Sequence, residues 1–152
     1  MSLTADQYTV RQHNTALIIA TVRENVTLSR AEIAARTGLN RSTVSSIINE
    51  LLANNAIEET VLQSEKIGRP GMLLKLNSNY GFTVGIDVNV DYITAVVLDY
   101  TYSIMWQKRT PVLAPNQQDA VLQQAIDLTH EAVDVGTRKE MKALGIGVVV
   151  PG

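Results

Sequence analysis

The stretch SRAEIAARTGLNRSTVSSIINELLANN, residues 29–55, holds two short helical patterns separated by Gly-Leu-Asn. The first opens with Ser29-Arg30-Ala31-Glu32, a capping box in which serine and glutamate satisfy backbone donors near one another. Its small Ala31, Ala34 and Ala35 admit a neighbouring helix closely, and Ile33 adds an apolar contact. Gly38 ends it, because the left-handed backbone costs glycine nothing. Asn40 then caps a second pattern, roughly 41–54. Val44, Ile47, Ile48, Leu51 and Leu52 line one side of it at helical spacing. The opposite side reads Arg41, Ser42, Thr43, Ser45, Ser46 and Asn49, and most of these residue types have low helix propensity. A helix selected for stability alone would carry Ala, Glu or Lys there. A solvated helix decorated with hydroxyls is the competing reading, but cap, turn, apolar stripe and polar face all agree with another.

Two helices joined by a short glycine-containing turn form a helix-turn-helix. Its second helix lies in the major groove of DNA, with side chains against base edges. Short polar side chains let the helix backbone come close. Arg41 can donate to phosphate or guanine, Asn49 can pair with adenine, and the hydroxyls of Ser42, Thr43, Ser45 and Ser46 suit several bases. Upstream, Asn14 suits the N-cap of a helix over about 15–25 whose stripe is Leu17, Ile18 and Val22. Downstream, Ile57–Gln63 and Met72–Asn77 read as two strands joined by Ser64–Gly71. A hairpin placed after the recognition helix is a wing. Its tip carries Lys66 and Arg69, which suit phosphates or the minor groove; Gly68, Pro70 and Gly71 mark any turn.

The bulk composition limits the alternatives. At 152 residues the chain suits one ordinary domain or two small ones, and 45% hydrophobic content supports a packed core. No apolar run approaches the roughly 20 residues of a membrane span, and the N-terminus lacks the pattern of a secretory signal. A cytoplasmic location fits. Without cysteine, disulfides and thiolate metal sites are excluded within this chain. Net charge is −2; residues 1–78 carry 8 basic and 7 acidic side chains, residues 79–152 carry 5 and 8. DNA binding must therefore rest on local placement of charge, not on a bulk field.

From Gly81 the pattern changes. FTVGIDVNV, YITAVVLDY and SIMWQKRTPV read as three strands with tight turns, hence antiparallel neighbours. Asp119–Val135 reads as a helix stopped by Gly136-Thr137. ALGIGVVVPG reads as a buried parallel strand. The expected fold class is α/β and multi-domain: a winged helix-turn-helix over 1–78, then a βββαβ unit over 79–152 that suits part of a ribonuclease H-like, actin-like lobe. A buried strand normally continues into more helix and sheet, so the chain is expected to be a piece of a longer protein.

A winged helix-turn-helix with TGLNRSTVSSIINELL (37–52) and GRPG (68–71), followed by GFTVGIDVNVDYITAVVLDYTYSI (81–104) and LGIGVVVPG (144–152), resembles the ROK family (repressors, open reading frames and sugar kinases). The resemblance is to its transcription-regulator branch and covers about 13–152. It implies a sugar-responsive repressor of carbohydrate metabolism genes. The full-length protein would bind a sugar or sugar derivative between two actin-like lobes and act as a homodimer on a palindromic operator in double-stranded DNA. No cofactor is implied in this chain; the family's zinc motif and catalytic aspartate lie beyond residue 152.

The kinases of that family carry an Asp-x-Gly-x-Thr/Lys turn that holds ATP phosphates. Here it reads Asp87-Val88-Asn89-Val90-Asp91. Asn replaces the glycine, and the Asp91 carboxylate would repel phosphate. The next turn, Asp99-Tyr100-Thr101-Tyr102, puts tyrosine where the family prefers glycine. No enzyme activity is expected, and the alternative is a sugar kinase or ATP-binding enzyme with an added DNA-binding domain. Asp87 reads as a strand-end relic. His13 and His130 fall in different units and make no metal pair. Met105 and Trp106 read as core together with Ile104, and Tyr80, Tyr92, Tyr100 and Tyr102 suit a sheet cluster or an interface.

Overall fold

A computed structural model describes residues 5–61 and 72–150. The chain divides into two compact units, Met1–Asn77 and Ser78–Gly152. No helix among the described residues is long and apolar enough to cross a membrane.

The first unit contains α1 (Ala5–Asn25), α2 (Arg30–Thr37), α3 (Arg41–Ala53), β1 (Ile57–Val61) and β2 (Met72–Leu76). Ile18 and Val22 of α1, Ile33 of α2, Val44, Ile47, Ile48 and Leu51 of α3, and Leu74 and Leu76 of β2 are buried together with Leu28 and Ala56. The two strands pair antiparallel, Ile57 opposite Leu76 and Val61 opposite Met72. Leu28 extends this ribbon: it exchanges backbone hydrogen bonds with Leu74 at 3.0 and 2.8 Å. Both helix caps form as the sequence predicts. Ser29 and Glu32 make the reciprocal capping box, and Asn40 accepts from the Thr43 amide. The end of α3 is closed by Asn55, which adopts the left-handed backbone at φ 58°.

One boundary differs substantially. Asn14 is no N-cap; it lies inside a 21-residue α1 that begins at Ala5. The extra turns hold through tertiary contacts with α3, described below, and those contacts leave no mark in local sequence. The helix ends where Val26 takes φ 62°, a costly conformation for a β-branched residue.

The second unit opens with a single 3-10 turn (Ser78–Tyr80) and then follows the βββαβ order: β3 (Gly81–Val88), β4 (Tyr92–Asp99), β5 (Ile104–Pro111), α4 (Gln118–Thr137) and β6 (Lys142–Val149). The sheet order is β5-β4-β3-β6. The tight turns give antiparallel β3/β4 and β4/β5 pairs, and β6 runs parallel to β3. Alternate residues of β3 (Phe82, Val84, Ile86) and β4 (Ile93, Ala95, Val97) form a core with Ala125, Leu128 and Ala132 of α4. Met105 and Trp106 pack against it half-buried, whereas Ile104 is exposed.

Two expectations are corrected here. β6 is parallel but not buried: all of its residues are exposed. It is an edge strand, with β3 on one side and no described strand on the other. Gly136 does not stop α4, which runs to Thr137; it is buried within the helix. A Cβ there would lie 2.2 Å from Cδ1 of Phe82, so the glycine permits the close approach of helix and sheet.

Two outcomes follow for stability. Gly136→Ala should destabilise by about 1–3 kcal/mol although alanine favours helices, because the Phe82 ring must move; chemical denaturation measures this. The second concerns acid. Glu32 is held below the usual carboxylate range, first by the Ser29 backbone amide, then by the Ser29 hydroxyl; burial opposes them, and Arg36 adds a lesser lowering effect. Its stabilising contribution is therefore present above the ordinary carboxylate pKa and lost as pH falls through the depressed one. Glu32→Gln should remove that part of the acid dependence of Tm, and Ser29→Ala should cost about 1 kcal/mol at neutral pH.

Candidate nucleic-acid interface

The apolar stripe of α3 faces the core, so its other side must face outward. Arg41, Ser42, Ser46 and Asn49 are exposed, and Thr43 and Ser45 are half-buried at the flanks of that face. The turn that presents the helix is set by Gly38 at φ 70°, whose amide donates to the Ala34 carbonyl. Asn40 Oδ1 then accepts from the Thr43 amide at 2.8 Å and from the Ser42 hydroxyl at 2.7 Å. Ser42 thus helps to close the helix start while remaining at the surface. Lys66 and Arg69, the expected wing contacts, lie outside the described residues.

Two arginines that the sequence reading did not single out flank this face. Arg11 of α1 reaches the Ser46–Glu50 row: its Nη2 donates to Glu50 Oε2 at 2.5 Å, and Ser46 Oγ accepts from the same guanidinium at 3.4 Å. Arg30, the first residue of α2, reaches the Ser45–Asn49 row. Its Nη1 donates to Asn49 Oδ1 at 2.9 Å and to the Ser45 carbonyl at 3.4 Å, and its Nη2 lies 3.8 Å from Glu59 on β1. No local signal betrays either contact, since each depends on how the helices cross. Four acidic residues nearby are engaged: Glu32 in the capping box, Glu50 by Arg11, Glu58 by Lys75 at 2.8 Å and Glu59 by Arg30. The surface around α3 therefore offers hydroxyls, an amide and guanidinium groups, a set suited to phosphates and base edges.

The second unit has no comparable assembly. Among the described residues no group of three His, Cys, Asp or Glu is placed to hold a metal ion. Asp87 sits at the end of β3 opposite Thr94 and Val149. In the turn after β3, the Asn89 amide donates to the Tyr92 carbonyl at 2.8 Å, and Asn89 Oδ1 accepts from the Val90 amide at 2.7 Å. Both amides are thus spent inside the turn. In the turn after β4, Asp99 Oδ1 accepts from the Thr101 and Ser103 amides at 2.8 and 3.0 Å, with Tyr102 at φ 68°. Tyr80 and Tyr100 pack together at 4.7 Å, while Tyr92 stacks under the Arg109 guanidinium at 3.5 Å.

Fold and surface together define a winged helix-turn-helix DNA-binding unit joined to an α/β unit, and residues 12–58 match the winged helix-turn-helix DNA-binding family. The chain is 33% identical to the xylose repressor of Bacillus subtilis (strain 168) over 148 residues, covering 97% of this chain and 38% of that protein. It is 32% identical to a putative xylose repressor of Caldicellulosiruptor sp. (strain Rt8B.4) over 143 residues, 94% of this chain and 36% of that protein. Among solved structures, the crystal structure of a ROK family transcriptional regulator, homolog of E. coli MLC protein, superposes with a TM-score of 0.70 at 18% identity, over 94% of this chain and 36% of that one. The chain shares the fold of that ROK family regulator and is similar to the xylose repressors along nearly its whole length. It spans little more than a third of the length of these relatives.

The Arg11–Glu50 pair holds a cation beside the exposed face but neutralises it. Glu50→Gln should strengthen DNA binding severalfold at low salt and steepen the salt dependence by about one released counterion, as read by fluorescence anisotropy across a salt series.

Proposed function

We propose that this chain is the operator-reading part of a transcriptional repressor that responds to a sugar of the xylose class. The observation that carries the reading is the outward face of α3, polar and uncharged-to-cationic, held out by a fully apolar inner stripe. Arg41, Ser42, Thr43, Ser45, Ser46 and Asn49 enter the major groove, and Lys66 and Arg69 on the wing reach the backbone or minor groove beside it. The sugar follows from the relatives, five of which are named xylose repressors outright. Paired winged units of a homodimer would bind half-sites about one helical turn, roughly 10 base pairs, apart or a multiple of that, which makes the operator palindromic. The second unit belongs to the domain that senses the sugar. A regulator without kinase activity is supported by the turn after β3, whose Asn89 and Val90 amides are engaged within it and whose Asp91 adds negative charge where a phosphate would lie. Its place of action is the cytoplasm, where the operator is.

Selection from random DNA tests this reading directly. The full-length gene product should enrich a palindromic site at low salt, and xylose should release it. Arg41→Ala should weaken binding by about tenfold or more if Arg41 reads guanine, with relaxed preference at that base. Absence of any enrichment at low salt would overturn the proposal; release by a different sugar would overturn only the xylose assignment.

A further inference from the structure

An asparagine can read adenine only in one of its two amide orientations. The correct one offers Nδ2–H to adenine N7 and Oδ1 to the N6 amino group; the flipped one sets donor against donor. On an exposed helix face nothing local chooses between them. Here Arg30 does. A guanidinium has five donors and no acceptor, so it binds only the oxygen end of a carboxamide. Its Nη1 meets Asn49 Oδ1 at 2.9 Å. The guanidinium is itself anchored, at 3.4 Å to the Ser45 carbonyl and at 3.8 Å to Glu59 of β1. It therefore ties α2, α3 and the wing strand into one unit around Asn49.

We propose that Arg30 is a positioning residue for base reading: it holds the Asn49 carboxamide with Nδ2 and the second Oδ1 lone pair facing outward, the donor–acceptor pair that complements adenine. This rests on α3 being the groove-reading helix. The competing role for Arg30 is a phosphate contact, which would add affinity without regard to sequence. Glu59 beside the guanidinium offsets its charge and makes it a poorer phosphate ligand, while leaving its hydrogen bond to Asn49 intact.

The test is a complete base-substitution profile of the selected operator. It is measured for the full-length protein and for Asn49→Ala, Arg30→Ala, Arg30→Lys and the double alanine variant, each at several salt concentrations. Asn49→Ala should abolish an adenine preference of about tenfold or more at one position of each half-site. Arg30→Ala should flatten the same position several-fold and leave the other positions unchanged, and the double variant should be no flatter there than Asn49→Ala. Arg30→Lys keeps the charge but not the planar fork; it should retain the salt dependence and still lose the adenine preference. This variant decides the matter if Arg30→Ala does not fold. The proposal is overturned if Arg30→Ala weakens all sequences equally, with a salt slope shallower by about one and an unchanged profile. It is equally overturned if Arg30→Lys keeps the adenine preference intact, or if the two residues affect different positions. Failure of the unsubstituted protein to select any sequence would instead remove the groove-reading role of α3, and this proposal with it.

Discussion

Burial of Val44, Ile47, Ile48 and Leu51 in the core is the constraint on which the first unit depends. A helix has only two sides to distribute. Once four aliphatic side chains face inward, Ser42, Ser46 and Asn49 must face outward. The magnitudes show which effect wins. The outer face carries residues that each cost up to about 0.7 kcal/mol of helix propensity relative to alanine, a few kcal/mol in total. Each buried aliphatic side chain contributes about 1.5–3 kcal/mol. Packing can therefore support an outer face that is poor for the isolated helix, and that freedom is what lets the face be chosen for recognition.

The charges around α3 are organised by the same packing. Arg11 and Arg30 come from different helices and arrive at adjacent rows of the same surface, each drawing in an acidic partner. Both ion pairs are partly exposed, so neither contributes much to stability. Their effect is geometric. They restrain long side chains beside short ones, and they keep two carboxylates from lying unpaired next to the face proposed to meet DNA. A chain with a net charge of −2 can present such a surface because only the local arrangement matters at distances shorter than the screening length, about 8–10 Å.

The second unit shows how close packing overrides local preference. Glycine inside a helix is unfavourable, yet Gly136 is needed because the Phe82 ring occupies the space of its side chain. The loops at the sheet ends are closed by their own side chains: Asn89 after β3 and Asp99 at the end of β4 take up the backbone amides of their turns. These asparagine and aspartate residues therefore have structural employment that accounts for their presence without chemistry.

Features resting on local backbone needs were legible in the amino-acid order. The capping box at Ser29 and Glu32, the left-handed Gly38, the Asn40 cap and the tight turns that make β3, β4 and β5 antiparallel follow from such needs, which involve residues only a few positions apart. The polar face of α3 was legible too, because helical periodicity places it opposite the apolar stripe. Long-range features were not. The full length of α1, the buried role of Gly136 and the convergence of Arg11 and Arg30 on α3 all depend on which surfaces meet. Arg11 is 39 positions from Glu50 and Arg30 is 19 from Asn49. Periodicity can say which way a side chain points, but only the crossing of packed helices decides what it finds there.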